Sequence, residues 1–315
     1  MKSYRQILTY NSEIGYKFLP NMNFTVVGDT EDNMIDYIIK TDSLGYRNEK
    51  DIIKIDNFEK KIDINLLYLG CSFTAGDGVD NSSRFTDLIG DNFYNCALPG
   101  SCFIQQTLAA IECSKYINTK KIIFMPHLGC IVRNLSKERS NIFFQSRQIW
   151  HKPLVSFMNS ELFFTGIPVK KPTLEFIKNN KNEENKYFLK TYFKKLKKFI
   201  TYNSEYLKSW DREFKSNYQL KLVSALYQKV KEVFPNAKFI IAPIPTKLFL
   251  DKSTKNSKEN SEKFFIKVSR SINAEYIDIA RIISSENYSK YFYNEGHLNR
   301  SGHRRFASLI KKIIN

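Results

Sequence analysis

Apolar residues fall into short blocks along this chain, and their spacing predicts the elements. The run "NLLYLG" at 65–70 is a compact apolar strand ending on glycine, and "RFTDLIGD" after it has helical character. "NFYNCALPGS" reads as a second strand entering a Pro-Gly turn. "FIQQTLAAIECSKYI" carries Ile104, Leu108 and Ile111 at helical spacing, and "KKIIFMP" is a third strand. After a long interruption the alternation resumes. Leu222, Leu226, Val230 and Val233 share one face of a helix stopped at Pro235, and "AKFIIAPIP" is the next strand. A helix near 259–271, the strand "AEYIDIA" and a final helix follow. In that last helix Phe306, Leu309, Ile310 and Ile313 share a face, and Asn299 is placed to cap its start. Strands alternating with helices predict an α/β fold with a parallel sheet covered on both faces.

Two regions depart from this rhythm. Residues 1–60 contain "EIGYKF" and "SLGYRN", each with an Ile/Leu-Gly-Tyr triplet, around a short strand "DYIIKT". This leading unit is too small for a core of its own and is expected to pack as an appendage on a main domain spanning 61–315. Residues about 134–216 are expected to form a helical insertion. There Leu189, Tyr192, Phe193, Leu196, Phe199 and Ile200 sit at helical spacing, with Lys190, Lys194, Lys197 and Lys198 opposite. Lysines interleaved with aromatics also occur in nucleic-acid-binding surfaces. The clear 3.6-residue period favours an amphipathic helix docked by its aromatic face.

The formal charge is +17, from 49 Lys and Arg against 32 Asp and Glu. Such a surface attracts polyanions, and the expectation is weak, non-specific binding. The five cysteines are odd in number and form no C-x-x-C pair, which argues against a disulfide framework and fits a reducing compartment. The first residues show no apolar leader, and no stretch approaches the roughly 20 apolar residues of a membrane span, so a cytoplasmic location is expected.

Two stretches carry chemistry. In "GCSFTAGDGV" a strand ends in small residues around one hydroxyl, Ser72. Glycines turn chains for many reasons, but an exposed hydroxyl on a sharp turn is also how a nucleophile is presented. In "NEGHLNRSGH" a histidine, His297, follows Glu295 on a Gly/Asn-rich loop before the last helix. A hydroxyl early, with acid and histidine late, all at ends of α/β elements, is the layout of a serine hydrolase triad. His151 and His303 read as non-catalytic.

These stretches resemble the motif blocks of the SGNH (GDSL-like) hydrolases. "GCSFTAGDGV" resembles the first block, with Ser72 at the nucleophile; "NCALPGS" resembles the second, with Gly100 at the oxyanion hole; "EGHLNRSGH" resembles the last. "EIGYKFLPN" and "DSLGYRN" look like the leading segment of many bacterial members. The resemblance implies a three-layer α/β/α sandwich of SGNH/flavodoxin-like type. It also implies a serine-dependent ester hydrolase, removing O-acyl (acetyl) groups from a carbohydrate, with a small-molecule or glycan ester as substrate. Ser72 would be the nucleophile, His297 the general base, and the backbone N–H groups of Ser72 and Gly100 the oxyanion donors.

The pattern is incomplete in two places. The family's usual Asp three residues before the histidine is Asn294 here, so Glu295, two residues before it, is the candidate acid. The third block, ending G-x-N-D, is missing. "HLGCIVRN" stands in its place, leaving His127 or Asn134 to supply the missing oxyanion donor. Acyl transfer through a serine calls for no cofactor, and no His/Cys/Asp cluster has metal-ligand spacing. Two alternatives remain: an acyltransferase using the same triad, or a non-catalytic SGNH-like protein that binds a polyanion or glycan.

Overall fold

The structure, a computed structural model, describes residues 7–29, 31, 33–53, 60–90, 92–135, 154–158, 161–166, 210–250, 255–284 and 287–314. The chain opens with two antiparallel hairpins: β1 (Leu8–Asn11) with β2 (Gly15–Phe18), and β3 (Asn23–Val26) with β4 (Tyr37–Lys40). The main sheet begins at β5 (Ile62–Gly70). A one-turn helix α1 (Ser72–Ala75), α2 (Phe85–Ile89), β6 (Phe93–Asn95), α3 (Phe103–Ser114), β7 (Ile117–Met125) and α4 (Cys130–Leu135) follow. Next come β8 (Leu154–Met158), β9 (Glu161–Gly166), α5 (Asn217–Val233), β10 (Lys238–Ile241) and the short α6 (Lys247–Leu250). The chain finishes with α7 (Lys255–Ser271), β11 (Glu275–Tyr276), α8 (Ile279–Ser284) and α9 (Arg300–Ile314).

Five strands form one parallel sheet in the order β11-β10-β7-β5-β6. The last four residues of β5, and those of β7, are all buried, as they must be when helices cover both faces. Helices α3, α5 and α7 pack in succession, and α9 packs on α2. This is the three-layer α/β/α sandwich. From β5 the chain steps outward to β6 and then crosses back to β7, so the direction of winding reverses between β5 and β7. Those two strands are neighbours, with Gly70 opposite Met125. Ligands of doubly wound sheets bind at such a reversal, beyond the carboxyl ends of the strands. Ser72 and His127 lie just past those ends.

Much of the stretch expected to be a helical insertion, including the lysine-aromatic pattern at 189–200, lies outside the described residues, as does His151. Within the described part, β8 and β9 form an antiparallel pair where a helix was expected, while residues 210–215 are helical. "LVSFM" and "ELFFTG" are rich in β-formers, and a strand pair suits them better. The cysteine expectation also needs correcting. Cys96 and Cys113 form a disulfide, while Cys71, Cys102 and Cys130 are free. The partners sit at the end of β6 and on α3, a proximity that their spacing of 17 does not announce. Their Cα atoms are 7.5 Å apart, wider than the usual 4.4–6.8 Å.

The leading segment is tied into the sandwich by buried polar contacts. Tyr16 Oη donates to the Pro99 carbonyl (2.6 Å), and Lys17 Nζ and Tyr46 Oη both reach Glu112 on α3 (2.9 and 2.7 Å). Tyr94 Oη donates to Asp42 at 2.5 Å. Arg47 goes deepest. Its guanidinium is fully buried and donates to the carbonyls of Ile38 (3.1 Å), Ala75 (3.1 Å), Gly76 (2.5 Å) and Val79, and to Asn81 Oδ1 (2.6 Å). Three of those carbonyls belong to the turn that follows Ser72. Leaving a buried polar group unpaired costs about 1–3 kcal/mol. Arg47→Ala is therefore predicted to lose at least about 3 kcal/mol of stability in urea melts, summed over several such groups. A loss below about 1 kcal/mol would show that water replaces the guanidinium at little cost.

Candidate active site

The serine turn is shaped by what surrounds it. Gly70 ends β5 where a Cβ would collide with Thr74 and the Met125 carbonyl, so only glycine fits. Cys71 is extended (φ −112°), and α1 begins at Ser72. Gly76 closes α1 in the left-handed region (φ 84°) against the Arg84 side chain, a conformation costly for other residues. Asn95, at the end of β6, donates to the Thr74 carbonyl (2.8 Å) and holds α1 from beneath. Ser101 Oγ donates to the Gly70 carbonyl (2.8 Å), bringing the turn that contains Gly100 alongside the serine turn.

The histidine loop comes from the other end of the chain. It folds back on itself through Tyr293 N–H to the His297 carbonyl (2.8 Å), and Tyr293 Oη donates to the Gly78 carbonyl (3.0 Å), clasping the two loops. His297 Nε2 lies 2.8 Å from Ser72 Oγ. A Glu295 carboxylate oxygen lies 2.6 Å from His297 Nδ1, while the other accepts the His297 backbone N–H (3.1 Å). The Asn294 amide turns away and donates to the Glu31 carbonyl (3.0 Å). Three polar side chains separated by up to 225 positions thus stand in line. With the carboxylate on Nδ1, the neutral ring carries its proton there and presents a bare Nε2 to the hydroxyl.

The electrostatics follow from this line. Burial alone would lower the His297 imidazole. The Glu295 carboxylate, by charge and by hydrogen bond, overrides that effect with help from Asp77 and Cys71, and His297 is lifted to about 9. Glu295 is the mirror case: burial would raise it, and His297 instead holds it below the usual carboxylate value.

His127, just beyond β7, stacks on Phe73 with ring centres 4.8 Å apart, and the same Phe73 contacts the His297 ring on a 4.7 Å spacing. Its Nδ1 accepts the Gly129 N–H (3.1 Å), so the neutral ring carries its proton on Nε2. Burial keeps the ring neutral, well below the ordinary histidine value. Asn134 is not available for the site. Its Oδ1 accepts the Phe103 N–H (3.1 Å) at the start of α3, and its amide nitrogen faces Gln219 (3.5 Å). His303 accepts the Phe85 N–H (3.2 Å), capping α2; burial, with Arg47 and Arg84 nearby, holds it at about 3.

The structure also assembles a donor set that spacing did not reveal. Cys71 Sγ, Cys130 Sγ and a His127 ring nitrogen lie within 4.8 Å of one another, all buried. These are zinc-type donors. Yet His127 Nδ1 is already engaged, and Arg133 sits beside the thiols, 4.0 Å from Cys130 Sγ. Although burial opposes it, the hydrogen bond with Cys130 and the charge of Arg133 hold the Cys71 thiol down, to about 6, so the cluster reads as an internal thiolate–thiol pair. A cavity of about 440 Å³ opens past Leu128, lined in part by Phe249, Glu262, Tyr276, Asp278 and Arg281; Ser72 and His297 do not line it. Arg47, Arg84 and Asp77 are the site-building residues that sequence reasoning missed.

No family model and no curated protein matches this sequence. Among solved structures, the chain is similar to TesA, at 9% identity and a TM-score of 0.42 over 78% of this chain and 94% of that one. It is similar to a putative SGNH hydrolase from Slackia heliotrinireducens, at 9% identity and a TM-score of 0.42 over 81% and 100%. A lipase/acylhydrolase from Enterococcus faecalis shares 12% identity at a TM-score of 0.37 over 80% and 95%.

The raised His297 has a measurable signature. Its imidazole is predicted to titrate near 9 by NMR, and in Glu295→Gln the midpoint should fall by more than one unit, because burial then meets less opposition. The protonated ring is favoured in the folded state. The stability it contributes is therefore fully present below about 6.5, the unfolded value, and lost as pH rises towards 9. A midpoint near 6.5 that Glu295→Gln leaves unmoved would mean that the carboxylate does not govern the ring.

Proposed function

We propose that this protein is a serine-dependent ester hydrolase. The observation that carries the reading is the line of contacts from Ser72 Oγ to His297 Nε2 at 2.8 Å and from His297 Nδ1 to Glu295 at 2.6 Å, set at the winding reversal of a parallel sheet. Ser72 Oγ attacks the ester carbonyl as its proton passes to His297 Nε2. Glu295 holds the ring in the right tautomer and stabilises the imidazolium. The backbone N–H groups of Ser72 and Gly100 receive the oxyanion, and His127, neutral with its proton on Nε2, is the candidate third donor in place of the missing asparagine. The tetrahedral species collapses, and the leaving alkoxide takes the proton from His297. Water then repeats the sequence on acyl-Ser72, giving up a proton to His297 and releasing the acid, and Ser72 recovers its hydrogen.

For the substrate we propose an O-acetylated carbohydrate; this finer step rests on the resemblance of the motif blocks to the SGNH family. The net charge of +17 supports weak, salt-sensitive attraction to polyanions beside this activity. No helix among the described residues is long and apolar enough to cross a membrane. We propose a cytoplasmic location, supported by three free buried cysteines and opposed by the Cys96–Cys113 disulfide; cell fractionation decides it.

Hydrolysis of p-nitrophenyl acetate and of a panel of acetylated sugars tests the reading. Ser72→Ala should abolish turnover while leaving the fold intact. Glu295→Gln should lower kcat by at least about 10²-fold, a fraction of the roughly 10⁴ found for the equivalent change in a serine protease triad, and Asn294→Ala should do much less. Near-wild-type rates in either triad variant would remove that residue from the mechanism. Transfer of the acyl group to a sugar acceptor in preference to water would turn the assignment to an acyltransferase.

A further inference from the structure

Asp77 is the least expected side chain near this site. It lies between two left-handed glycines, Gly76 (φ 84°) and Gly78 (φ 94°), on the turn that follows α1. Its backbone N–H donates to the Ser72 carbonyl (3.0 Å), which fixes it one turn from the nucleophile. The residue is only 4% exposed, both carboxylate oxygens are buried, and neither has a hydrogen-bond partner among the described residues. A buried carboxylate with no donor is costly, and such groups in native proteins call for an explanation. Arg47 is near, yet its hydrogen bonds go to the carbonyls of Ile38, Ala75, Gly76 and Val79 and to Asn81. The clasp between Tyr293 Oη and the Gly78 carbonyl lays the histidine loop against this turn.

We propose that Asp77 is a second carboxylate for His297, a positioning residue that acts by charge on the imidazolium formed when Ser72 gives up its proton. This deepens the hydrolase reading and rests on it for the role of His297 as base. The charges around the pair fit. His297 feels Glu295 from its own loop, and Asp77 and Cys71 from the serine turn, with neutral His127 against the same Phe73 ring. Asp77 feels His297 and Arg47 as attractive charges and Glu295 and Cys71 as repulsive ones. Burial lifts the Asp77 carboxyl to about 6, so its charge changes just below neutrality. Below that point His297 faces one carboxylate, and above it two. The two groups then titrate as a coupled pair.

The test is an NMR titration of the full chain. The four histidines can be assigned by substitution, starting from His297→Gln. In folded Asp77→Asn the His297 midpoint should drop by about one unit, the low end of what a nearby opposite charge produces, and the pH dependence of kcat/KM should move down with it. An unmoved midpoint in the folded variant overturns the proposal. Should Asp77→Asn fail to fold, the reciprocal measurement decides: in His297→Gln the Asp77 carboxyl, followed by ¹³C NMR, should titrate above its wild-type midpoint, and an unchanged midpoint overturns the coupling. The two readings fail separately. A shifted His297 in a protein without esterase activity supports the electrostatic pair and defeats the hydrolase, whereas ester hydrolysis with an unmoved His297 does the reverse.

Discussion

The site depends on one buried side chain. Arg47 reaches from the leading segment into the turn behind Ser72 and donates to the carbonyls of Ala75, Gly76 and Val79. A one-turn helix closed by a left-handed glycine leaves most such carbonyls short of backbone donors; the Gly76 carbonyl has only the long bond from Val79 N–H (3.3 Å). Buried, they need a donor, and a guanidinium with five N–H groups in a fixed fork satisfies several at once. Arg84 Nη1 in turn donates to the Arg47 carbonyl at 2.5 Å. The leading segment is therefore structural support for the Ser72 turn.

A second constraint is charge. Ser72 and Asp77 are buried, while His297 is half-buried and Glu295 lies at the surface of its loop; each charge acts on the next at close range. Glu295 is on the same loop as His297 and hydrogen-bonds it twice. Asp77 reaches the same field from the other loop. The result is a base whose protonated form is strongly favoured. That suits a step in which an imidazolium must form, and it pushes the working range of the neutral ring towards alkaline pH.

How much of this was legible in the sequence follows from which interactions are local. The apolar strand ending at Gly70, and the alternation of strand and helix patterns, depend on periodicity and turn chemistry that neighbouring residues carry. They predicted the sandwich and the place of Ser72. The pairing of Glu295 with His297 is also local, two residues apart, and the Asn294 amide is committed to Glu31. Arg47 and Asp77 were invisible for the opposite reason. In "SLGYRN" and "AGDGV" they look like ordinary polar turn residues, and only long-range packing buries them. Asn134 illustrates the same limit: its side chain is claimed by the N-terminus of α3, a contact that no spacing announces. The Cys71–His127–Cys130 cluster and the Cys96–Cys113 pair likewise arise from strands and helices meeting in space.

The central claim is that Ser72 is a nucleophile activated by His297. A fluorophosphonate probe reports on that directly, because it phosphonylates a serine only when a neighbouring base has made it reactive. Labelling followed by peptide mapping should place the adduct on Ser72 alone. Labelling should grow faster as pH rises towards 9 and disappear in His297→Gln. A well-folded protein that takes up no probe, or an adduct at Ser72 that forms equally fast without His297, would contradict the account.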